Sequence, residues 1–200
     1  MTENKLRTAQ IERATKETQI RLALDIDGSG CAQIATGCGF LDHMLELFTA
    51  HSGFDLQIAC RGDVQVDYHH TTEDVAIALG QALTQALGEK RGINRYGQQL
   101  LPMDETLVLV ALDFSGRAYL GYDVQLLSTK VGDFDTELAE EFMQALCRNA
   151  GLTLHIRQMC GHNTHHIIEA IFKGVGRAMR QAVAVDTRFA ERIPSTKGVI

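Results

Sequence analysis

Apolar and polar positions alternate along "TQIRLALDID", which puts Ile20, Leu22, Leu24 and Ile26 on one face of a strand. The turn residues of "DGSG" then predict an antiparallel return through "CAQIAT", a hairpin. The period changes in "FLDHMLELFTAH", where Leu41, Met44, Leu45 and Phe48 recur at helical spacing, and "FDLQIAC" alternates again. "DYHHTTEDVAIALGQALTQALG" carries Val75, Leu79, Ala82, Leu83 and Ala86 on one helical face and stops at Gly88. The predicted order is strand, strand, helix, strand, helix.

The pattern then repeats. "ETLVLVALD" and "RAYLGYDV" flank the turn "FSGR"; a helix is predicted in "DTELAEEFMQALCRNAG", a strand in "LTLHIRQM" and a helix from about Thr164 to Val185. "GQALTQA" (80 to 86) and "GRAMRQA" (176 to 182) stand ninety-six residues apart, and "ALDIDG" (23 to 28) resembles "ALDFSG" (111 to 116). This predicts an internally duplicated α+β chain, each half a mixed or antiparallel sheet with two helices packed on one face. With a boundary near "GINRYG", residues 1–93 form the first half and 94–200 the second.

The same offset of ninety-six relates "DYHHTTED" (67 to 74) to "NTHHIIEA" (163 to 170). Asp67 and Asn163 are helix-capping types, so both histidine pairs fall in a first helical turn. Residues four apart share a helix face, which lets His69 and Glu73 converge on one ion and His165 and Glu169 on another. His70 and His166 point about 100° away, so neighbouring histidines should serve different metals. Ligands leaving in two directions imply metals at subunit interfaces and a homo-oligomer. His43 and Glu141 sit at comparable places on the first helix of each half and complete a set of eight. Imidazole and carboxylate donors without thiolate suit Mn²⁺, Fe²⁺ or Zn²⁺, and octahedral centres with open positions lean to Mn²⁺ or Fe²⁺. His51 and His155 lack the pattern and read as structural.

Charge and composition narrow the classes. A net charge of −6 with no basic run argues against nucleic-acid binding. The charged N-terminus lacks the apolar core of a signal peptide, and no apolar stretch is long enough for a membrane span, so the expectation is a cytoplasmic protein. Five cysteines without a C-x-x-C pair indicate neither a disulfide framework nor a zinc ribbon.

Taken together, "FLDHML", "DYHHTTED", "HNTHHIIEAIFK" and "IPSTKG" resemble the imidazoleglycerol-phosphate dehydratases of histidine biosynthesis over essentially the whole chain. The resemblance implies a hydro-lyase that converts imidazole glycerol phosphate to imidazole acetol phosphate, a 24-mer built from trimers, and two Mn²⁺ per active site shared between subunits. It places metal ligands on His43, His69, His70, Glu73, Glu141, His165, His166 and Glu169. It implies an acid/base role for Glu17 and substrate contacts for Arg95, Arg117, Lys173, Ser195 and Lys197, with a substrate-binding tail at about 192–200. This chain departs from common family residues at Leu47, Tyr68, Glu141 and His162. A divalent ion at each ring nitrogen would favour the imidazolate, whose electrons can expel the neighbouring hydroxyl; that is the expected reason for two cassettes. The competing expectation is a metal-storage protein or a metal-clamped shell without catalysis.

Overall fold

The computed structural model describes residues 6–200, so the first five residues of the charged N-terminal stretch lie outside it. The first half runs β1 (Thr8–Ala14), β2 (Thr18–Asp25), β3 (Ala32–Ala35), α1 (Gly39–Ser52), β4 (Asp55–Gly62) and α2 (His69–Leu87). The second runs β5 (Tyr96–Met103), β6 (Thr106–Asp113), β7 (Tyr119–Asp123), a short hairpin β8 (Lys130–Val131) and β9 (Phe134–Asp135), α3 (Leu138–Ala150), β10 (Thr153–Cys160) and α4 (Thr164–Val183). The duplicated α+β architecture is therefore as expected, with one strand more at the start of each half.

That extra strand corrects the predicted hairpin. The sheets have the orders β1-β2-β4-β3 and β5-β6-β10-β7. The antiparallel partner that precedes β2 is β1, through a tight turn in which Thr15 N donates to Thr18 O (2.9 Å). "CAQIAT" does not return against β2: β3 crosses over and pairs parallel with β4, Ile34 beside Ile58. The "DGSG" stretch is pinned instead by Asp55, which accepts from Ser29 N (2.7 Å) and Cys31 N (2.9 Å) at the start of β4 and leaves the centre of the sheet to β4. The second half repeats the crossover, with β7 parallel to β10 rather than hairpinned to β6.

Alternation on β2 and β6 buries every second side chain, among them Ile20, Leu22, Leu24, Val108, Val110 and Leu112. These faces meet the helices, and the helices meet one another across the halves: α1 packs on α4 and α2 on α3. Close approach depends on two repeat-related glycines. A Cβ at Gly176 would stand 2.7 Å from the Phe48 carbonyl oxygen, and one at Gly80 would stand 2.7 Å from Asn149 Cβ. The four helices thus form a layer between the two sheets around one continuous apolar core. Among the described residues no helix is long and apolar enough to cross a membrane.

Candidate functional site

The second cassette opens α4. Asn163 caps it, its side-chain oxygen accepting from His165 N (3.0 Å) and His166 N (3.3 Å), so both histidines occupy the first turn. His165 Nε2 lies 3.2 Å from Glu169 Oε2 one turn on. Across the α1–α4 contact His43 completes a group in which one ligand atom from each of His43, His165 and Glu169 falls within 4.8 Å of the others. Among the described residues this is the one such trio. Three imidazole or carboxylate donors at that mutual spacing fit a divalent ion bound about 2.1 Å from each. Glu169 is only 7% exposed. Burial works to raise its carboxyl, but the Lys173 ammonium 2.5 Å away and the two histidines together hold it below the usual carboxylate range.

The first cassette opens α2 in a related way. Tyr68 is the N-cap residue, and the cap itself comes from Asp67, whose carboxylate accepts from His69 N at 2.7 Å. The rings of His69 and His70 stand 82° apart, and those of His165 and His166 87°, so each pair faces two directions. α3 packs on α2 as α1 packs on α4, and the C-capping glycines of α1 and α3, Gly53 and Gly151, are repeat equivalents. By that equivalence exposed Glu141 holds the place on α3 that His43 holds on α1, but among the described residues His69, Glu73 and Glu141 do not close into a group as His43, His165 and Glu169 do.

Glu17 sits in the β1–β2 turn, half exposed, with Oε1 3.7 Å from His70 Nε2. The other ring nitrogen of His70 contacts Asp63 at 3.0 Å, which raises the histidine above its ordinary value; Glu17 adds to the effect. The turn is tied to α2 by Asp74, buried beside Glu73. Its carboxylate accepts from Thr18 Oγ1 (2.5 Å) and from Arg13 Nε and Nη2 (3.1 and 2.7 Å). Asp63 and Asp74 were not singled out from sequence.

A third cluster forms at the opposite end of α4. Arg95 N donates to Ala182 O (2.8 Å), and its guanidinium makes a two-pronged pair with Asp113 (2.6 and 3.0 Å) while Nη1 donates to Pro194 O (2.9 Å). Asp113 raises the arginine further above its ordinary value. Arg117 is exposed, making one long bond to Ser115 O (3.4 Å), and Gly116 beside it lies against Ile200. Ser195 Oγ accepts from Lys197 N (3.2 Å) in the tail turn. Arg95, Arg117 and the Ser195–Lys197 turn thus share one end of the second half, whereas Lys173 belongs with Glu169.

Several remaining positions have structural explanations. His51 accepts from Arg177 Nε (3.3 Å), and burial, then Arg177, lowers its pKa. His155 packs on the Tyr119 ring. Leu47 and Tyr68 are half-buried against the core, and His162 is exposed with its backbone N–H directed to Glu105 (3.3 Å). Glu105 has no local motif to mark it, although it stands as far before "ALDFSG" as Glu17 stands before "ALDIDG".

A family model described as imidazoleglycerol-phosphate dehydratase matches residues 36–179. A curated protein of that name from Desulforamulus reducens is 57% identical over 194 residues, 97% of this chain and 98% of its own length. One from Azorhizobium caulinodans is 56% identical over 195 residues, 98% and 99% of the two chains. Among solved structures, the dehydratase of Staphylococcus aureus superposes with a TM-score of 0.82 at 46% identity, covering 90% of this chain and 99% of that one. The Pyrococcus furiosus protein, solved in complex with (S)-C348, gives 0.82 at 38% identity, covering 95% and 100%.

Proposed function

Since the chain belongs to the imidazoleglycerol-phosphate dehydratase family, hydro-lyases of histidine biosynthesis, we propose that it dehydrates imidazole glycerol phosphate at di-metal sites shared between subunits. The observation that carries the reading is the convergence of His43, His165 and Glu169. One ion would be held by that trio. By repeat equivalence a second would be held by His69, Glu73 and Glu141, with His70 and His166 reaching the ions of neighbouring subunits. Bound there, two divalent ions, Mn²⁺ by preference, supply Lewis acidity toward the two ring nitrogens of the substrate.

The chain's own groups supply the rest. The proton to be lost sits on a carbon without an adjacent carbonyl, so a carboxylate must be placed at hydrogen-bond reach of it. Glu17 is exposed beside His70 and free to move that proton between carbon and leaving hydroxyl. Arg95 has three of its five N–H donors engaged by Asp113 and Pro194, which fixes the guanidinium plane and leaves two for a phosphate. Arg117, Ser195 and Lys197 add a second guanidinium, a hydroxyl and a point charge at the same end.

One length supports sharing between subunits. His165 and the Ala182 carbonyl that anchors Arg95 are seventeen residues apart on α4. At 1.5 Å per residue that is about 26 Å. A five-membered ring carrying a three-carbon phosphate chain cannot span it, which supports the reading that one chain's phosphate cluster would serve another chain's metals. This supports an oligomer, and the 24-mer of trimers is the assembly we propose. Turnover of imidazole glycerol phosphate should be lost on chelation and restored by Mn²⁺; undiminished turnover after exhaustive chelation would remove the metals from the reaction. Reassembling Glu17→Gln with Lys197→Ala subunits should recover activity that neither variant has alone. No recovery would mean that each site lies within one chain.

A further inference from the structure

The two hairpin turns that face the cassettes carry repeat-equivalent glutamates, Glu17 in β1–β2 and Glu105 in β5–β6. Duplication alone would give them the same task, yet the structure gives them different ones. Glu17 makes no side-chain hydrogen bond among those described and approaches the outer nitrogen of His70, Nε2, at 3.7 Å. Glu105 has turned onto the inner nitrogen of His166: its Oε2 lies 2.8 Å from Nδ1. Its other oxygen accepts from Asn163 N (2.9 Å), His162 N (3.3 Å) and Thr106 Oγ1 (3.0 Å). Both oxygens are thus committed to the start of α4.

The first half fills the same inner position from elsewhere. Asp63, just past the end of β4, contacts His70 Nδ1 through both oxygens (3.0 and 3.2 Å); the matching stretch after β10, from Gly161 to His162, has no carboxylate. A carboxylate only accepts, so in the neutral form of each ring Nδ1 carries the hydrogen and Nε2 the lone pair. His70 and His166 are the two histidines that point out of their own trio.

We propose that Glu105 and Asp63 are positioning residues for His166 and His70, fixing tautomer and ring plane so that Nε2 is presented to an ion of another subunit. The duplicated glutamate pair has thereby divided its labour. In the second half the turn glutamate orients a ligand; in the first half Asp63 does that and Glu17 stays free for proton transfer. Of the repeat-equivalent glutamates one then remains for proton transfer, while the carboxylate nearest the outer nitrogen of His166 is that of exposed Asp104, 3.9 Å away. The inference rests on the proposed metal reading.

The test is a Mn²⁺ titration of the full-length protein followed by the electron paramagnetic resonance signal of free Mn²⁺, with thermal melting alongside. Glu105→Gln keeps size and shape but cannot accept at both oxygens; Asp63→Asn does the same for His70. Each should weaken one class of site by about 10- to 100-fold while melting remains cooperative. Because the two histidines reach different ions, the double variant should weaken both classes. Unchanged titrations in either single variant would overturn the inference, as would two single variants weakening one shared class. If Glu105→Gln does not fold, Glu105→Asp, which shortens the reach to Nδ1, should show the same selective loss; wild-type titration in Glu105→Asp overturns the role. A wild-type chain that binds no Mn²⁺ overturns the metal reading itself, a distinguishable result.

Discussion

Replacing Asp74 by Ala should separate the position of Glu17 from the integrity of the metal ligands. The Asp74 side chain is 8% exposed, and Arg13 opposite it 30%. Breaking a fully buried ion pair by removing one partner costs about 3–5 kcal/mol, because the remaining charge is left uncompensated. Arg13 reaches solvent and can be partly rehydrated, which lowers that share to about 1–2 kcal/mol; loss of the Thr18 Oγ1 bond adds about 1 kcal/mol. About 2–3 kcal/mol in a chain of this size corresponds to a fall in Tm of roughly 4–12 °C. Thr18 is the residue next to Glu17, so the turn should shift once its anchor on α2 is gone. A misplacement of about 1 Å at a reacting group is worth roughly a hundredfold in turnover. His69, His70 and Glu73 sit on the helix itself, so Mn²⁺ content should be unchanged. Differential scanning fluorimetry, metal analysis and kcat measured on one preparation check this. Full kcat in a variant with the expected Tm loss would refute the claim that Asp74 places Glu17; an unchanged Tm would refute the energetic estimate.

Glu17→Gln should retain Mn²⁺ and oligomer size while losing about 10²- to 10⁴-fold in turnover, and near-normal turnover would take Glu17 out of the mechanism. His69→Ala should lose Mn²⁺, oligomer and activity together, read by metal analysis and sedimentation velocity; full metal stoichiometry would contradict its role as a ligand. In the metal-free chain His70 and His166 are raised above 6.5 by hydrogen bonds to Asp63 and Glu105. A folded value above the unfolded one means that their stabilisation is complete below pH 6.5 and is lost as pH rises through the raised values. Protons compete with the ion for the same nitrogens, so Mn²⁺ affinity should climb across that window, and a pH-independent affinity would show that neither histidine is a ligand.

The cassettes were legible because their spacing is local: adjacent histidines leave a helix in two directions, and residues four apart share one face, as His165 and Glu169 do. Strand β1 was not. Only Ala9 of "TAQIERA" is fully buried, so an edge strand with Glu12 and Arg13 on it reads as a charged tail. Nor could turn chemistry distinguish a hairpin from a crossover at "DGSG", because the partner that decides it, β4, begins only at Asp55 and inserts beside β2. Arg95 looks like any surface arginine in sequence; its fixed plane comes from Asp113 on a neighbouring strand and Pro194 in the tail, contacts with no local signature. Glu105 was recoverable, but only by aligning the two "ALD" strands, whose offset differs from that of the cassettes.

The difference between those two offsets has a structural cause and a consequence. Between the β6 strand and α4 the second half carries the additional β8–β9 hairpin and a longer run to α3, so hairpin turns and cassettes are not related by one uniform shift. The turns nevertheless reach the same place over their helices, because β2 and β6 each occupy an inner position of a four-stranded sheet and run toward α2 and α4 in the same way. What the fold preserves is therefore the juxtaposition of a turn carboxylate with a helix-opening histidine pair, not the length of chain between them. Once that juxtaposition is duplicated, either carboxylate can specialise without disturbing the core. The first half anchors its turn from below with Asp74 and leaves Glu17 outward; the second has Ala170 at the Asp74 position and anchors its turn through Glu105 itself. The choice of anchor thus determines which glutamate stays outward, Glu17 rather than Glu105.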